Sequence, residues 1–155
     1  MNLRKTRLDS AVDAVDAIIG LTTVFHDYRV THFVNQAIDL NLVRMPDLPV
    51  YSTRLKRLSN YAFYACYCKS LRTDFFLIAN YNGEIRMIDQ KQVDYLILIK
   101  GPAPADYYDD ILLRLRRINQ VHATRLQPQM LKGMNGIYHD LELHLLELKT
   151  DQAPG

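Results

Sequence analysis

The stretch Gln92-Val93-Asp94-Tyr95-Leu96-Ile97-Leu98-Ile99-Lys100 decides how this chain of 155 residues folds. Its middle is a nearly continuous apolar run, and Gly101-Pro102 ends it. Strands that are buried on both faces read as such runs, whereas a strand with one face in water alternates apolar and polar residues. The stretch therefore predicts a strand near the centre of a sheet.

One helix and one further strand are predicted after the central strand. The helix follows Pro104, and acidic residues occupy its first turn while arginines occupy its last turn. That polarity complements the helix dipole. Residues 121–126 read as a strand that Pro128 closes. The core stripe of the helix consists of Tyr108, Ile111, Leu112, Leu115 and Ile118.

On the N-terminal side, the pattern predicts a strand over residues 14–22 and a helix over residues 28–40. The first segment also fits a helical stripe, so a helix is the alternative there. We expect Asp27 to act as the N-cap of the helix and Asn41 to end it in a left-handed conformation. The apolar face of the helix consists of Val30, Phe33, Val34, Ala37 and Ile38.

The segment between the two helices is predicted to be rich in β-structure. Pro46 and Pro49 argue against a central strand, so residues 42–45 are predicted as a short edge strand and residues 48–56 as a loop. Residues 59–89 are predicted as a three-stranded meander. Its last turn is Asn82-Gly83, a strong hairpin signal, after which residues 84–88 pair back against the preceding strand.

The C-terminal part allows two interpretations. Residues 131–136 are loop-like, and residues 137–148 carry leucines whose spacing suits either a helix or a strand. Helix propensity favours the helix. We expect a single domain over residues 14–148, in which residues 131–148 form a C-terminal extension. Residues 1–13 are predicted as an N-terminal extension and residues 149–155 as a disordered tail.

These elements predict an α+β fold. We expect a two-layer sandwich with a mostly antiparallel sheet, two amphipathic helices on one face and a C-terminal helix. Two helices with one apolar stripe each can cover one face of the sheet. The other face is left to solvent, to the C-terminal element or to a second subunit.

The composition excludes several classes of protein. With 19 basic and 17 acidic residues the net charge is +2, which implies no strong field for nucleic acid or a membrane. No run reaches the roughly 18 apolar residues of a membrane helix. Asp9, Asp13 and Asp16 stand where a signal peptide is apolar, so we expect a cytoplasmic protein. Cys66 and Cys68 are then expected to be reduced thiols.

Residues 87–95 resemble the signature of the IPExxxVDY family of small bacterial proteins from the Bacteroidota. Val93, Asp94 and Tyr95 match that signature, whereas Met87, Ile88 and Asp89 stand where Ile-Pro-Glu is usual. The similarity covers roughly residues 14–130. It implies a bacterial cytoplasm, with no established activity or cofactor. Two further stretches look like the family: Asp27-Tyr28-Arg29 with Asn35-Gln36-Ala37, and Leu98-Ile99-Lys100-Gly101.

Asp94 is the most interesting charge, because a carboxylate inside an apolar strand needs a partner. The structural interpretation is that it caps a turn through backbone N–H groups, and the functional one is an acid or base. Asp89 is a second carboxylate for the functional interpretation. The spacing of the five histidines matches no metal or catalytic motif, so no catalytic residue, metal or cofactor is predicted.

Residues 48–73 contain no acid and combine basic with aromatic side chains. Tyrosines on a strand suit a core or a protein interface, and basic residues with aromatics are also typical of nucleic-acid platforms. We therefore expect a non-catalytic protein-interaction or dimerisation module, as a homodimer or with a protein partner. An RNA-associated protein is the alternative. The candidate surface consists of Arg54, Lys56, Arg57, Tyr61, Tyr64, Tyr67, Lys69 and Arg72.

Overall fold

The computed structural model describes residues 17–152 and contains one six-stranded antiparallel sheet, ordered β2-β3-β4-β5-β1-β6. The predicted N-terminal extension, the predicted start of the first strand and residues 153–155 lie outside the described residues. The elements are β1 (Ala17–Thr22), α1 (Asp27–Ile38), β2 (Val43–Ser52), β3 (Arg57–Cys68), β4 (Thr73–Ala79), β5 (Tyr95–Lys100), α2 (Ala105–Arg116), β6 (His122–Leu126) and α3 (Met134–Gln152).

Strand β5 confirms the central strand predicted from residues 92–100. It is hydrogen-bonded to β4 on one side and to β1 on the other. Ile97 and Ile99 join the core on one face of the sheet, and Leu96 and Leu98 join the core on the opposite face. All four side chains are fully buried. The continuous apolar run therefore reflects two covered faces.

The α+β class and the antiparallel sheet are confirmed, but the layers number three instead of the predicted two. Helices α1 and α2 cover one face through residues such as Val34 and Ile111. Helix α3 covers the other face through Met134, Ile137 and Leu141. Of the three coverings left open by the sequence, the second face is covered by the C-terminal element.

Strand β2 runs through both prolines, so the predicted loop over residues 48–56 is wrong for its first five residues. β2 pairs with β3 alone and is an edge strand, where proline lacks only an outward N–H. The register shifts between Met45 and Leu48, which places Pro46 in an irregularity, and Pro49 lies opposite Asn60. A strand of ten residues can therefore contain both prolines, because β2 lies at the edge of the sheet and its register shifts at Pro46.

The third strand of the predicted meander does not form. Residues 84–88 contribute one isolated bridge, between Tyr81 and Arg86, and β5 occupies the place beside β4. The side-chain oxygen of Asn82 accepts hydrogen bonds from the backbone N–H groups of Glu84 and Ile85, at 3.0 and 2.9 Å. These bonds turn the chain through a local side-chain contact instead of a hairpin ladder.

The α1 helix is confirmed, but its ends differ from those predicted. Asp27 is the first helical residue instead of the N-cap, and His26 precedes it without a side-chain cap bond. Asp39 takes the left-handed conformation expected of Asn41, with a φ of 55°. The Asn35 side chain bonds both the N–H and the C=O of Leu42, at 2.9 and 3.1 Å, which turns the chain away earlier.

The last three elements also follow the sequence pattern. Helix α2 and strand β6 form where the apolar stripe and residues 121–126 predicted them. The helical interpretation of residues 137–148 is confirmed. Helix α3 begins earlier, at Met134 inside the predicted loop, and continues to Gln152, through the first four residues of the predicted tail. No helix among the described residues is long and apolar enough to span a membrane.

Candidate functional site

The second half of the signature-like segment fastens the loop between β1 and α1. The Asp94 carboxylate accepts a hydrogen bond from the backbone N–H of Thr23 at 2.9 Å. The backbone N–H of Asp94 donates to the carbonyl of Leu21 at 2.8 Å, and the Tyr95 hydroxyl donates to the carbonyl of Phe25 at 2.7 Å. Asp94 therefore acts as the structural interpretation expected, by capping a turn through a backbone N–H group.

The first half of that segment folds around Asn80, a fully buried residue that sequence reasoning missed. The Asn80 amide group donates to the carbonyls of Val93 and Ile88, at 2.9 and 3.2 Å. Its side-chain oxygen accepts the backbone N–H of Ile88 at 2.8 Å. Ile88 is buried, Met87 is half-buried and Asp89 is exposed. An asparagine at the end of the apolar run of β4 was the available signal.

Two tyrosine hydroxyls are held neutral beneath the start of α1. The Tyr64 hydroxyl donates to the Asp27 carboxylate at 2.9 Å. Burial, and then this hydrogen bond and the carboxylate charge, raise the pKa of Tyr64 to about 12. Burial and the charges of Asp27 and Asp94 raise the pKa of Tyr95 to about 12 as well. Both groups therefore act as hydrogen-bond donors over the physiological pH range.

The candidate interaction surface does not form as one surface. Tyr61 and Tyr64 are 2% and 6% exposed and belong to the cores on opposite faces of the sheet, while Tyr67 is exposed. Arg54 and its basic neighbours lie where β2 turns into β3, whereas Lys69 and Arg72 lie where β3 turns into β4. Twelve residues of strand separate these two turns, a distance of about 36 Å.

Three basic residues of that surface, Arg54, Lys56 and Arg57, lie together at one turn. With Tyr51 and Leu58, which were not among the candidate residues, they form what we call the hairpin tip. Tyr51 and Leu58 are direct cross-strand neighbours and are 53% and 58% exposed. They face away from the core that holds their sequence neighbours Val50 and Ser59, which are buried. Arg57 forms an ion pair with Glu84, and all three basic side chains are exposed.

The side chains considered for catalysis have other roles or lie apart. Asp89 is exposed on a loop, and Asp94 is committed to the Thr23 N–H group. Cys66 and Cys68 are free thiols, and burial raises the pKa of Cys66, which makes it a weaker nucleophile at neutral pH. Among the described residues no group of three or more His, Cys, Asp or Glu is placed to hold a metal ion.

A groove of about 870 Å³ lies between α1 and α2, and sequence reasoning missed it. The Phe25 and Phe33 rings line it, with centroids 5.3 Å apart, and the Arg29 guanidinium lies 4.9 and 5.8 Å from them. Arg114 and Arg117 line the opposite wall. The sequence shows the arginines at the end of α2, but their position in the last turn was already explained by the favourable interaction with the helix dipole.

The lining of this groove carries an excess of positive charge and several amide side chains. Among the described residues that line it, Asp110 is the one carboxylate, and it pairs with Arg114 at 2.9 Å. Three arginines less one aspartate leave a formal charge of +2 in the described lining. Amide side chains complete the lining: Gln36, Asn119 and Gln120. The groove therefore joins flat apolar surfaces, positive charge and neutral donors.

Together these features define an α+β protein with a basic hairpin tip and an arginine-lined groove. Comparison with family models, with curated proteins and with solved structures gives no match for this chain.

Proposed function

We propose that this chain is a non-catalytic protein-interaction module of the bacterial cytoplasm, and that its partner docks on the hairpin tip. The observation that carries the proposal is the exposed Tyr51–Leu58 pair beside three basic side chains. Tyrosine offers an apolar body with a polar end, and it is enriched at protein interfaces. Membership of the IPExxxVDY family belongs to the same proposal and is supported by Val93-Asp94-Tyr95.

The charges favour an acidic protein partner over a second copy of the chain. Among the described residues, three basic side chains of the tip face two carboxylates: Glu84, which pairs with Arg57, and Asp140 of α3, which accepts the Tyr51 N–H. The tip therefore keeps an excess of positive charge. A homodimer built on two such tips brings like charges together, which opposes association. A partner segment with carboxylates around an apolar anchor fits both the exposed pair and its basic surroundings.

The edges of the sheet also argue against a homodimer formed by strand addition. In β2 the Asp140 carboxylate of α3 accepts the N–H of Tyr51 at 3.1 Å, and two prolines interrupt the donors. In β6 the Arg116 side chain donates to the carbonyl of Ala123 at 3.1 Å. Covered groups and prolines are the usual protection of edge strands against pairing.

Photo-crosslinking in bacteria tests the docking surface. We replace Tyr51 by p-benzoylphenylalanine and use the same replacement at Tyr67, a tyrosine with similar exposure, as the control. A discrete crosslinked protein is expected at position 51 only. Arg54→Glu should abolish the crosslink because it reverses a charge at the tip, whereas Lys69→Glu should leave it unchanged. Binding of the identified protein to the purified full chain should show the same pattern.

The outcomes separate the partner classes. Equal crosslinking at both positions, or none at position 51, overturns the proposal. A crosslink between two copies, together with a dimer in light scattering, replaces the acidic partner with the homodimer. The RNA alternative is tested with a labelled 20-nucleotide single strand: salt-sensitive binding that Arg54→Glu abolishes would favour it over the protein partner.

The geometry supports the RNA alternative less well than the protein partner. Two of the three tyrosines in the candidate surface, Tyr61 and Tyr64, are buried and cannot stack on bases. The basic residues are divided between the two ends of β3. A single strand therefore finds short basic patches instead of a continuous track with aromatic side chains.

A further inference from the structure

We propose that the groove between α1 and α2 binds a small planar anion, namely an aromatic or heteroaromatic ring that carries a carboxylate or a phosphate. This site is separate from the hairpin tip and does not depend on it. The argument rests on the size of the groove, the composition of its walls, its charge and the way its aromatic wall is held.

The size and the walls suit a small ring-containing ligand. A volume of about 870 Å³ falls within the range of small-molecule sites. Phe25 and Phe33 provide flat apolar surfaces, and Ile118 with Ala37 extends them. Phenyl rings and guanidinium planes both favour contact with flat ligand surfaces.

The charge suits an anion. Asp110 neutralises Arg114 through their ion pair, so Arg29 and Arg117 provide the excess positive charge. The two phenyl rings hold the Arg29 guanidinium by cation–π contacts, which limits its conformational freedom before a ligand arrives. Guanidinium groups bind carboxylates and phosphates through two parallel hydrogen bonds, so a pre-positioned Arg29 supplies an anion site at the ring wall.

Hydrogen bonds from residues at the start of the central strand hold the loop that carries Phe25, one of the two aromatic residues of the groove. The Tyr95 hydroxyl holds the carbonyl of Phe25, and the Asp94 carboxylate holds the N–H of Thr23 two residues earlier. The N–H of Arg29 donates to the carbonyl of His26 at 3.1 Å, so Arg29 follows directly on the fastened loop. Sites that are ordered before binding lose less entropy when the ligand enters.

Isothermal titration calorimetry on the full chain tests the site with four probes: benzoate, adenosine 5′-monophosphate, acetate and inorganic phosphate. Benzoate or the nucleotide is expected to bind with a Kd below about 1 mM, and acetate and phosphate at least tenfold more weakly. The two ring-containing probes distinguish a carboxylate ligand from a phosphate ligand. Affinity should fall as salt is added, because the ligand is charged.

Variants locate the binding. Arg29→Gln and Arg117→Gln are each expected to raise the Kd of the ring-containing probe about tenfold or more, because a charge-assisted contact is lost. Lys69→Gln, which removes one exposed positive charge elsewhere, should leave the Kd unchanged. Phe33→Leu should raise the Kd of the ring-containing probe, because it removes a flat aromatic surface while keeping an apolar side chain there. Circular dichroism confirms that each variant is folded.

Three results overturn the proposal. One is no heat of binding for either ring-containing probe at about 10 mM, which corresponds to an affinity too weak for a ligand site. Another is binding that Arg29→Gln and Arg117→Gln leave unchanged. The third is acetate or phosphate binding as tightly as the ring-containing probes, which would show an ion site without the planar ligand. None of these results bears on the hairpin tip.

Discussion

Replacing Asn80 by alanine should destabilise the protein far more than replacing an exposed asparagine would. Asn80 is fully buried and makes three good hydrogen bonds, two to Ile88 and one to Val93. Alanine removes the Asn80 bonds to the carbonyls of Val93 and Ile88 and to the N–H of Ile88. The Ile88 carbonyl keeps the bond from the Gln90 N–H at 2.8 Å, whereas the Val93 carbonyl and the Ile88 N–H lose their Asn80 partner. Water serves these two groups in the unfolded chain, so their desolvation is no longer compensated in the folded one.

The magnitude follows from those three bonds. A neutral hydrogen bond contributes about 1 kcal/mol net, and an unpaired buried partner costs about 1–3 kcal/mol. Local relaxation reduces the sum, so we expect Asn80→Ala to lower the free energy of unfolding by roughly 3–5 kcal/mol. For a domain of this size that corresponds to a fall in Tm of roughly 10 °C.

Urea denaturation followed by circular dichroism measures this effect, and Asn82→Ala is the matched control. Asn82 is exposed and accepts two backbone N–H groups in a turn, so its replacement should cost less than about 1 kcal/mol. Hydrogen exchange should also show lost protection of the Ile88 amide in Asn80→Ala. Equal costs for the two variants, or a cost below about 1 kcal/mol for Asn80→Ala, would refute the reasoning.

Three further predictions concern a closely packed glycine, two buried tyrosines and the Asp94 cap. Gly101→Ala should lower the free energy of unfolding by more than about 2 kcal/mol in urea titrations, because its Cβ would lie 2.6 Å from the Thr73 Cα. Gly136→Ala meets nothing within 4 Å, lies in α3 and should cost nothing. Between pH 10 and 12 the folded chain keeps the protons of Tyr64 and Tyr95 while the unfolded chain loses them, so stability should fall by roughly 2 kcal/mol per tyrosine as pH rises. Tyr95→Phe should reduce that fall; an unchanged pH profile would contradict the assignment. Asp94→Ala should speed hydrogen exchange at the Thr23 amide, and unchanged exchange would contradict its capping role.

The elements predicted correctly from the sequence are those whose signal is local. Helix α2 shows its apolar stripe within one segment, with acids before arginines, and β5 shows a run that only two covered faces explain. For these two elements the deciding interactions lie within a few residues or follow from burial alone. Of the two interpretations of Asp94, the structure supports the turn cap, through a Thr23 N–H group that is 71 residues away in the sequence.

Besides the ends of α1 and the start of α3, the incorrect predictions concern which segments pair or pack together. Asn82-Gly83 is a strong hairpin signal, yet β5 pairs with β4 in place of residues 84–88. Pro46 and Pro49 argued against a long strand, and only the edge position of β2 makes one compatible with them. Tyr61 and Tyr64 were placed in the candidate surface although strand tyrosines also suit a core, and the helices on the two faces cover them. In the first two cases the deciding partner is the next strand along the chain, and for the tyrosines it is helices from distant segments.

By itself the sequence determined the α+β class, the central strand and helices α1 and α2, because periodicity and burial are written into short stretches. The structure decided between the two interpretations of residues 137–148 and supports the structural one of Asp94. The tertiary structure decided that α3 covers the second face and that the candidate surface is divided, with the hairpin tip at one end of β3. It also decided that Phe25 and Arg29 meet Arg114 across a groove. Those features depend on which surfaces meet, and that is set by the summed packing of segments separated by tens of residues.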